Sequence, residues 1–162
     1  MTHLDVSSYK DDLIKSMVSN QNLVEAIDSR QANIRSGDDL PWKNIFPYAH
    51  IDFTQKIADS YVLISVQQPG INRANRTFVD IRLVIQVVVH RDRMKMGRAT
   101  RADVIAEELR KMLDGSNDYG YGVLEMYSSS EYIIHNEHIC RELHFRTIDL
   151  KLSSDKKAGR FL

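Results

Sequence analysis

Few residues in this sequence have the type and spacing needed for catalysis. Cys140 lies on a predicted strand between Ile139 and Arg141, and the sequence places no base or oxyanion donor beside it. A reactive thiol needs a neighbouring group that lowers its pKa, whereas a thiol in apolar surroundings stays protonated. The pattern therefore favours a buried, inert cysteine over a nucleophile.

Three histidines close in sequence, His135, His138 and His144, form the clearest candidate metal site. A His-x-x-His pair in a turn and a third histidine six residues later could meet at a zinc ion. However, no helix fixes their geometry, and no carboxylate accompanies them to orient the rings. We therefore expect no metal and no cofactor at these residues.

The remaining acidic groups also fit no known site. Asp38 and Asp39 with His50 and Asp52 match no ligand spacing, and solvated loop residues are the simpler interpretation. The sequence contains no G-x-S-x-G, no H-E-x-x-H, no P-loop and no dinucleotide-binding fingerprint. We predict that the protein is not an enzyme.

A basic loop follows a long predicted strand and carries five cations: Arg91, Arg93, Lys95, Arg98 and Arg101. Phosphate contacts with nucleic acid are one interpretation of this local charge. No aromatic residues alternate with the cations, and no nucleic-acid-binding motif is present. A solvated loop or a salt-bridged contact between subunits is therefore favoured.

The strand before this loop is the strongest structural signal. Six aliphatic residues recur at two-residue spacing and so share one face: Val79, Ile81, Leu83, Ile85, Val87 and Val89. The opposite face is half apolar and includes Val84, Gln86 and Val88. A second cover is therefore expected there, either another element or a second subunit.

An amphipathic helix is predicted after the loop. Thr100 is a candidate N-cap, and Gly115 suits the left-handed residue that ends a helix. Its apolar residues repeat at helical spacing: Ala102, Ile105, Leu109, Met112 and Leu113. We expect this helix to pack on the aliphatic face of the strand, because that is the nearest large apolar surface.

The N-terminal half supplies a helix, an arm and a strand. Residues 8–29 predict a helix with a kink or break at 19–22. Residues 31–59 lack a clear period but contain large apolar groups, among them Trp42 and Phe46, and predict an ordered arm. A strand over 61–67 then leads into the long strand through a protruding loop that carries Arg73 and Arg76.

The C-terminal half predicts two more strands. One begins at Val123, and residues 128–134 either continue it or loop out. The last spans about 139–152, and its apolar residues switch from odd to even positions. Such a switch needs one extra residue, so we predict a β-bulge near Arg146 and Thr147.

These elements predict one α+β domain over residues 1–152, in the order α, arm, β, β, α, β, β. The sheet is expected to be mixed and mostly antiparallel, with about four strands and two main helices. Residues 153–162 form a basic tail. With 22 basic and 22 acidic residues, no global charge favours nucleic acid or a membrane, and the single cysteine favours a reducing compartment. Neither a secretory signal nor a membrane span is evident.

The order of segments resembles the tail terminator, or tail completion, proteins of tailed bacteriophages. The resemblance covers about residues 44–152 and rests on the order and spacing of several motifs. They are Asn44-Ile45-Phe46-Pro47-Tyr48, Val87-Val88-Val89-His90, Arg101-Ala102-Asp103, Leu113-Asp114-Gly115-Ser116 and Gly120-Tyr121-Gly122-Val123-Leu124. The asparagine usual before the glycine is Asp114 here.

The resemblance implies a structural protein of the virion neck that is assembled in the host cytoplasm. Such proteins form a ring, usually a hexamer, that ends the tail tube, binds the head-completion or connector protein, and passes phage DNA through its lumen without reading sequence. The implied subunit contacts are Val84, Gln86 and Val88 with Trp42 and Phe46 of the arm.

The loops implied to reach neighbours, the tube or the lumen carry Arg73, Arg76, Arg91, Arg93, Lys95 and Arg98. Two other interpretations stay open: another neck component, such as a head-completion or connector adaptor, and a nucleic-acid-binding module that uses the basic loop.

Overall fold

The computed structural model describes residues 6–30, 37–49, 58–120 and 122–150. Within them lie the helices α1 (Val6–Ser19), α2 (Gln21–Ile27) and α3 (Arg101–Leu113). The strands are β1 (Ile45–Phe46), β2 (Ser60–Ile71), β3 (Phe78–His90), β4 (Lys95–Met96), β5 (Ala99–Thr100), β6 (Glu125–His135) and β7 (His138–Leu150).

Five strands form one sheet in the order β1-β2-β3-β7-β6. β1 pairs parallel with β2, and all other neighbours are antiparallel. β4 and β5 form a separate small hairpin in the basic loop. The predicted α+β class is confirmed, with five strands instead of about four because the arm contributes β1. With only two residues, β1 is too short to show an alternating pattern in the sequence. It is recognised as a strand only by its pairing with β2.

The predicted packing of α3 on the long strand is confirmed. Leu83, Ile85 and Val87 of β3 are fully buried in one cluster with Ile105 and Leu109 of α3. The helix begins at the predicted cap, where the Thr100 hydroxyl accepts a hydrogen bond of 3.2 Å from the amide of Asp103. We call this side of the sheet the helical face.

The break in the N-terminal helix is also confirmed. α1 ends at Ser19, and Asn20 caps α2 by accepting a hydrogen bond from the amide of Leu23. Both helices bury apolar side chains in the same cluster as α3, including Leu13 and Met17. The side chains that α1, α2 and α3 bury thus gather on one side of the sheet, and we call the other side the open face.

The longer described part of the arm, residues 37–49, is docked on the body. Asn44 is fully buried, accepts a hydrogen bond from Ser29 and donates one of 2.8 Å to the carbonyl of Ser60. A Cβ on Gly37 would overlap the carbonyl group of Val18, so the backbones approach as only glycine allows. Residues 31–36 and 50–57 of the predicted arm, with His50 and Asp52, lie outside the described residues.

The predicted bulge at Arg146 and Thr147 is wrong. β7 pairs with β3 in one unbroken register from His138 to Leu150. The apolar period changes because Thr147 and Asp149 are buried polar residues on the helical face. The pKa of Tyr9 is raised, mainly by burial and to a smaller extent by the nearby carboxylate of Asp149. The helical face thus becomes polar at this end, and the bulges lie in β2 and β6 instead.

The predicted tail, residues 153–162, lies outside the described residues. In the part of the chain that is described, no helix has the length and apolar content to cross a bilayer.

Candidate assembly surface

The open face carries a hydrogen-bonded polar network across three strands. Gln86 on β3 donates hydrogen bonds to the Tyr132 hydroxyl (2.8 Å) and to Glu142 (3.0 Å). Tyr132 on edge strand β6 donates to the same carboxylate at 2.6 Å, and a ring nitrogen of His144 lies 2.5 Å from its other oxygen. The carboxylate thus joins β3, β7 and β6 on this face.

The titration of this network follows from its geometry. Burial raises the pKa of Glu142, but hydrogen bonds from Tyr132, Gln86 and His144 outweigh it, so the net pKa lies below 4.5. Burial and the carboxylate of Glu142 raise the pKa of Tyr132 above its ordinary value. The pair is therefore a charged carboxylate and a neutral phenol at neutral pH.

Cys140 lies beneath this network and is fully buried. Burial raises the pKa of its thiol to about 11. It packs in a second apolar cluster with Val88 of β3, Phe46 of β1, and Tyr61 and Leu63 of β2. A protonated thiol enclosed by apolar side chains is a packing residue.

This second cluster changes the predicted subunit contact. Val88 is completely buried within its own subunit and can contact no second copy directly, while Val84 and Phe46 each keep 9% of their surface. Gln86 is half-buried and its amide is bonded within the network. Phe46 of β1, expected at the subunit contact, instead packs into this cluster and supplies part of the second cover. Of the predicted contact residues, Trp42 remains largely exposed.

The three predicted histidines do not form one site. His135 and His138 face each other across the β6–β7 turn, but His144 pairs with Glu142 farther along β7. The third histidine of the group is His90, whose ring centroid is 5.0 Å from that of His138. Among the described residues, no group of three or more His, Cys, Asp or Glu side chains is arranged to hold a metal ion.

Arg93 is a structural residue and not a partner-facing one, contrary to the sequence interpretation. It is 5% exposed, and its guanidinium donates to the carbonyl of Asp28 at 2.6 Å and to its carboxylate at 2.9 Å. Asp59, which is fully buried, lies 3.9 Å away. Arg101 similarly donates to the carbonyl of Ala26 at 2.7 Å. The two arginines anchor the basic loop to the C-terminal end of α2, where cations interact favourably with the exposed carbonyls.

The other predicted loop cations are exposed. Arg73 and Arg76 lie in the turn between β2 and β3. Arg91, Lys95 and Arg98 lie at the far end of β3. Because β3 has 13 residues, the two groups are separated by about 40 Å along the strand.

The β1 edge of the sheet exposes aromatic side chains. Trp42 keeps 64% of its surface and Tyr48 42%, and their rings are 5.9 Å apart. Trp42 also has a φ of 66°, a left-handed conformation that is strained for a bulky residue. Strained backbone conformations of this kind are frequent at functional sites. Beside it, a cleft of about 610 Å³ separates α1 from the arm, with Ile14 and Val18 of α1 among its lining residues. We call this surface the arm edge.

The β6 edge, at the other side of the sheet, exposes a second apolar group. Ile133 keeps 72% of its surface, Tyr127 45% and Tyr132 38%. The sequence left residues 128–134 open between strand and loop, although Tyr132, Ile133 and Ile134 are β-formers that could have favoured the strand. Five of the seven exposed large apolar residues among those described thus lie at the two opposite edges of the sheet, while Ile71 lies at the end of β2 and Val123 precedes β6.

Comparison with known proteins places the chain in a family. Among curated proteins, none matches the sequence. The model of the YomW family, a phage-associated protein family, matches residues 11–147. Since the match covers most of the chain and the whole sheet up to Thr147, this protein belongs to the YomW family of phage-associated proteins.

Proposed function

We propose that this chain is a structural protein of the phage neck. It forms a ring, a hexamer, at the head-proximal end of the tail tube, ends tube polymerisation and binds the head-completion or connector protein. Phage DNA passes through the lumen without base-specific contacts. The phage family and the order of sequence motifs support this role, and neither an enzymatic activity nor a cofactor is part of it.

The observation that carries the proposal is the position of the exposed apolar groups at opposite edges of one sheet. Trp42 and Tyr48 lie at the arm edge, and Tyr127 and Ile133 lie at the β6 edge. Two different patches on opposite sides of a subunit make a head-to-tail contact, which closes into a ring when the rotation per subunit divides a full turn. A self-complementary dimer, by contrast, needs only one patch.

The exposed basic loops supply surfaces for the tube, the connector or DNA. Arg73 and Arg76 lie at one end of β3, while Arg91, Lys95 and Arg98 lie at the other. If β3 runs roughly parallel to the ring axis, one group of cations lies at each rim of the ring. Cations at these positions suit non-specific contact with phosphates in the lumen or with acidic residues of a partner.

A nucleic-acid-binding module is less well supported. Two of the five cations of the basic loop, Arg93 and Arg101, bond within the subunit and so are withdrawn from any phosphate contact. A second neck role, as a head-completion or connector adaptor, uses the same ring and differs only in the partner it binds.

The test is deletion of the gene in the phage. A terminator is predicted to be required for tube length, so its loss gives tail tubes longer than normal and no joined heads, as seen by electron microscopy. Purified protein should form a hexamer by native mass spectrometry and bind isolated tail tubes at one end. Tubes of normal length with unjoined heads would favour the adaptor role instead, and a protein that stays monomeric beside tubes would contradict both.

A further inference from the structure

The β6 edge has an uncapped hydrogen-bonding backbone. Within the described ranges, β7 is the only strand that pairs with the 11-residue strand β6. In an antiparallel pair, alternate residues turn their N–H and C=O groups away from the partner, so an edge strand presents these groups to solvent. Bulges between Met126 and Ser128 and between Ile133 and His135 leave a regular stretch of six residues, Ser128–Ile133.

Apart from the bulge on each side of it, this stretch lacks the devices that usually protect an edge. It contains no lysine and no proline, and its one charge, Glu131, is held at 2.9 Å by Arg141 on the neighbouring strand. Its residues are exposed on both faces of the sheet. An edge of this kind pairs readily with a further strand.

The opposite side of the sheet has a matching free edge. β1 pairs with only Val62 and Leu63 of the 12-residue strand β2. From Ile64 to the bulge after Gln67, no other strand of the described residues covers this side. This segment is uncharged, and its open-face side chains, Ser65 and Gln67, are small or neutral.

The two edges match in direction and in face. β6 is antiparallel to β7, β7 to β3 and β3 to β2, so β6 runs opposite to β2. A copy placed beside β6 in the same orientation therefore offers an antiparallel strand. Cross-strand partners share a face, which assigns Ser128 and Ser130 to the open face with Ser65.

We propose that β6 of one subunit adds as an antiparallel strand to Ile64–Gln67 of β2 in the next, so that one sheet continues through the assembly. This rests on the head-to-tail ring of the proposed function and names its contact. The helical faces then align, and exposed Ile133 extends the apolar face that contains Ile64 of the neighbour. Since β1 already occupies Val62 and Leu63, β6 must shift along β2 by a few residues, a stagger that closed sheets require.

The shift accounts for other exposed groups. It moves the C-terminal end of β6, with Tyr132 and Ile133, against the neighbour's β1 and its exposed Trp42 and Tyr48. It moves the other end of β6, where Glu125 pairs at 3.4 Å with Arg146 of its own subunit, toward the neighbour's turn that carries Arg73 and Arg76. A β6–β6 contact across a two-fold axis would bring Glu131 of one copy near that of the other and leave Trp42 in solvent.

Disulfide cross-linking tests the strand addition in the full chain. Cys140 is the only cysteine and is buried, so it gives little background. The double variants S65C/S128C and S65C/S130C place both thiols on the open face, in two registers. On mild oxidation, at least one should give a covalent ladder of dimers, trimers and higher species up to the closed ring. The matched control S65C/S129C puts the thiols on opposite faces and should remain uncross-linked.

Native mass spectrometry of each variant before oxidation separates the possible failures. If a ring forms but neither S65C/S128C nor S65C/S130C cross-links, the strand addition is wrong and the ring itself stands. Covalent dimers from S130C alone overturn it in favour of a β6–β6 contact. A chain that is monomeric at every concentration removes the ring itself, and the strand addition with it.

Discussion

The Tyr132 hydroxyl on β6 lies 2.6 Å from a carboxylate oxygen of Glu142 on β7. The bond ties the edge strand to the sheet at the residues nearest the proposed contact. Because the pKa of Glu142 is lowered by folding, its ionisation stabilises the fold above pH 4.5, and this contribution is lost as pH falls through the lower folded pKa. The acid side of the stability profile should therefore depend on Glu142.

Glu142→Gln should flatten the loss of stability as pH falls below 4.5, as followed by urea unfolding at each pH. Tyr132→Phe should lower the free energy of unfolding at pH 7 by about 1 kcal/mol, since Tyr132 is partly exposed and solvent replaces some of the bond. Glu125→Gln, an exposed carboxylate on the same strand, is the control. An unchanged acid profile in Glu142→Gln would show that the network does not form in solution.

The buried guanidinium of Arg93, which pairs with the exposed carboxylate of Asp28 and lies near buried Asp59, gives a second prediction. Arg93→Ala leaves Asp59 buried without its nearby cation and removes the bonds to Asp28, so unfolding should become easier by about 3 kcal/mol. Arg91→Ala, two residues away but exposed, should change stability by less than about 0.5 kcal/mol. Urea midpoints of the two variants measure the difference. Normal stability in Arg93→Ala, combined with lost partner binding, would restore Arg93 to a partner-facing role.

Arg93 also shows why part of the site could not be predicted from the sequence. A charged residue in a loop of cations predicts exposure, because burying an arginine is costly unless specific partners are present. Those partners, Asp28 and Asp59, are 65 and 34 residues away along the chain, and only the fold brings them together. The strand-and-helix pair of β3 and α3 was predictable for the opposite reason. Its signals, alternation, helical spacing and a cap at Thr100, are local.

The edges were only partly predictable. Trp42 was expected at a subunit contact because of the family resemblance, and that expectation stays a prediction. Its left-handed backbone was not expected, since no sequence pattern signals a strained tryptophan. Ser128, Ser129 and Ser130 carry no apolar period, so the strand character of β6 depends on pairing with β7. The wrong bulge near Thr147 has a related cause. Thr147 is polar but buried, so the apolar pattern is interrupted there although the strand keeps the same face toward the helices.

Gly37 gives a third prediction. Any Cβ at this position overlaps the carbonyl group of Val18 and approaches the Val24 side chain, so Gly37→Ala must displace the arm or α1. We expect a loss of more than about 2 kcal/mol in unfolding free energy. Asp39→Ala, on the exposed side of the same turn, should be nearly neutral. Thermal unfolding of both variants measures this difference. If Gly37→Ala were as stable as Asp39→Ala, the arm would not dock against α1 as described.

Trp42 is the only tryptophan and reports on the arm edge directly. In the monomer its exposed ring should emit at long wavelength and be quenched readily by acrylamide. As concentration rises into the range of assembly, emission should shift to shorter wavelength and quenching should fall, because the neighbour's β6 edge covers the ring. Ile133→Asp should abolish the shift without unfolding the subunit. A shift that persists in this variant would mean that Trp42 meets some other surface.

Complementation between two blocked variants tests the head-to-tail contact most directly. Trp42→Asp impairs the arm edge and Ile133→Asp the β6 edge, so each variant keeps one functional surface and should be monomeric by sedimentation. Mixed in equal amounts, they should form a one-to-one heterodimer that grows no further, because its two remaining edges are both blocked. Failure of the mixed variants to associate, while the unmodified chain forms rings, would contradict a contact between the two opposite edges of the sheet.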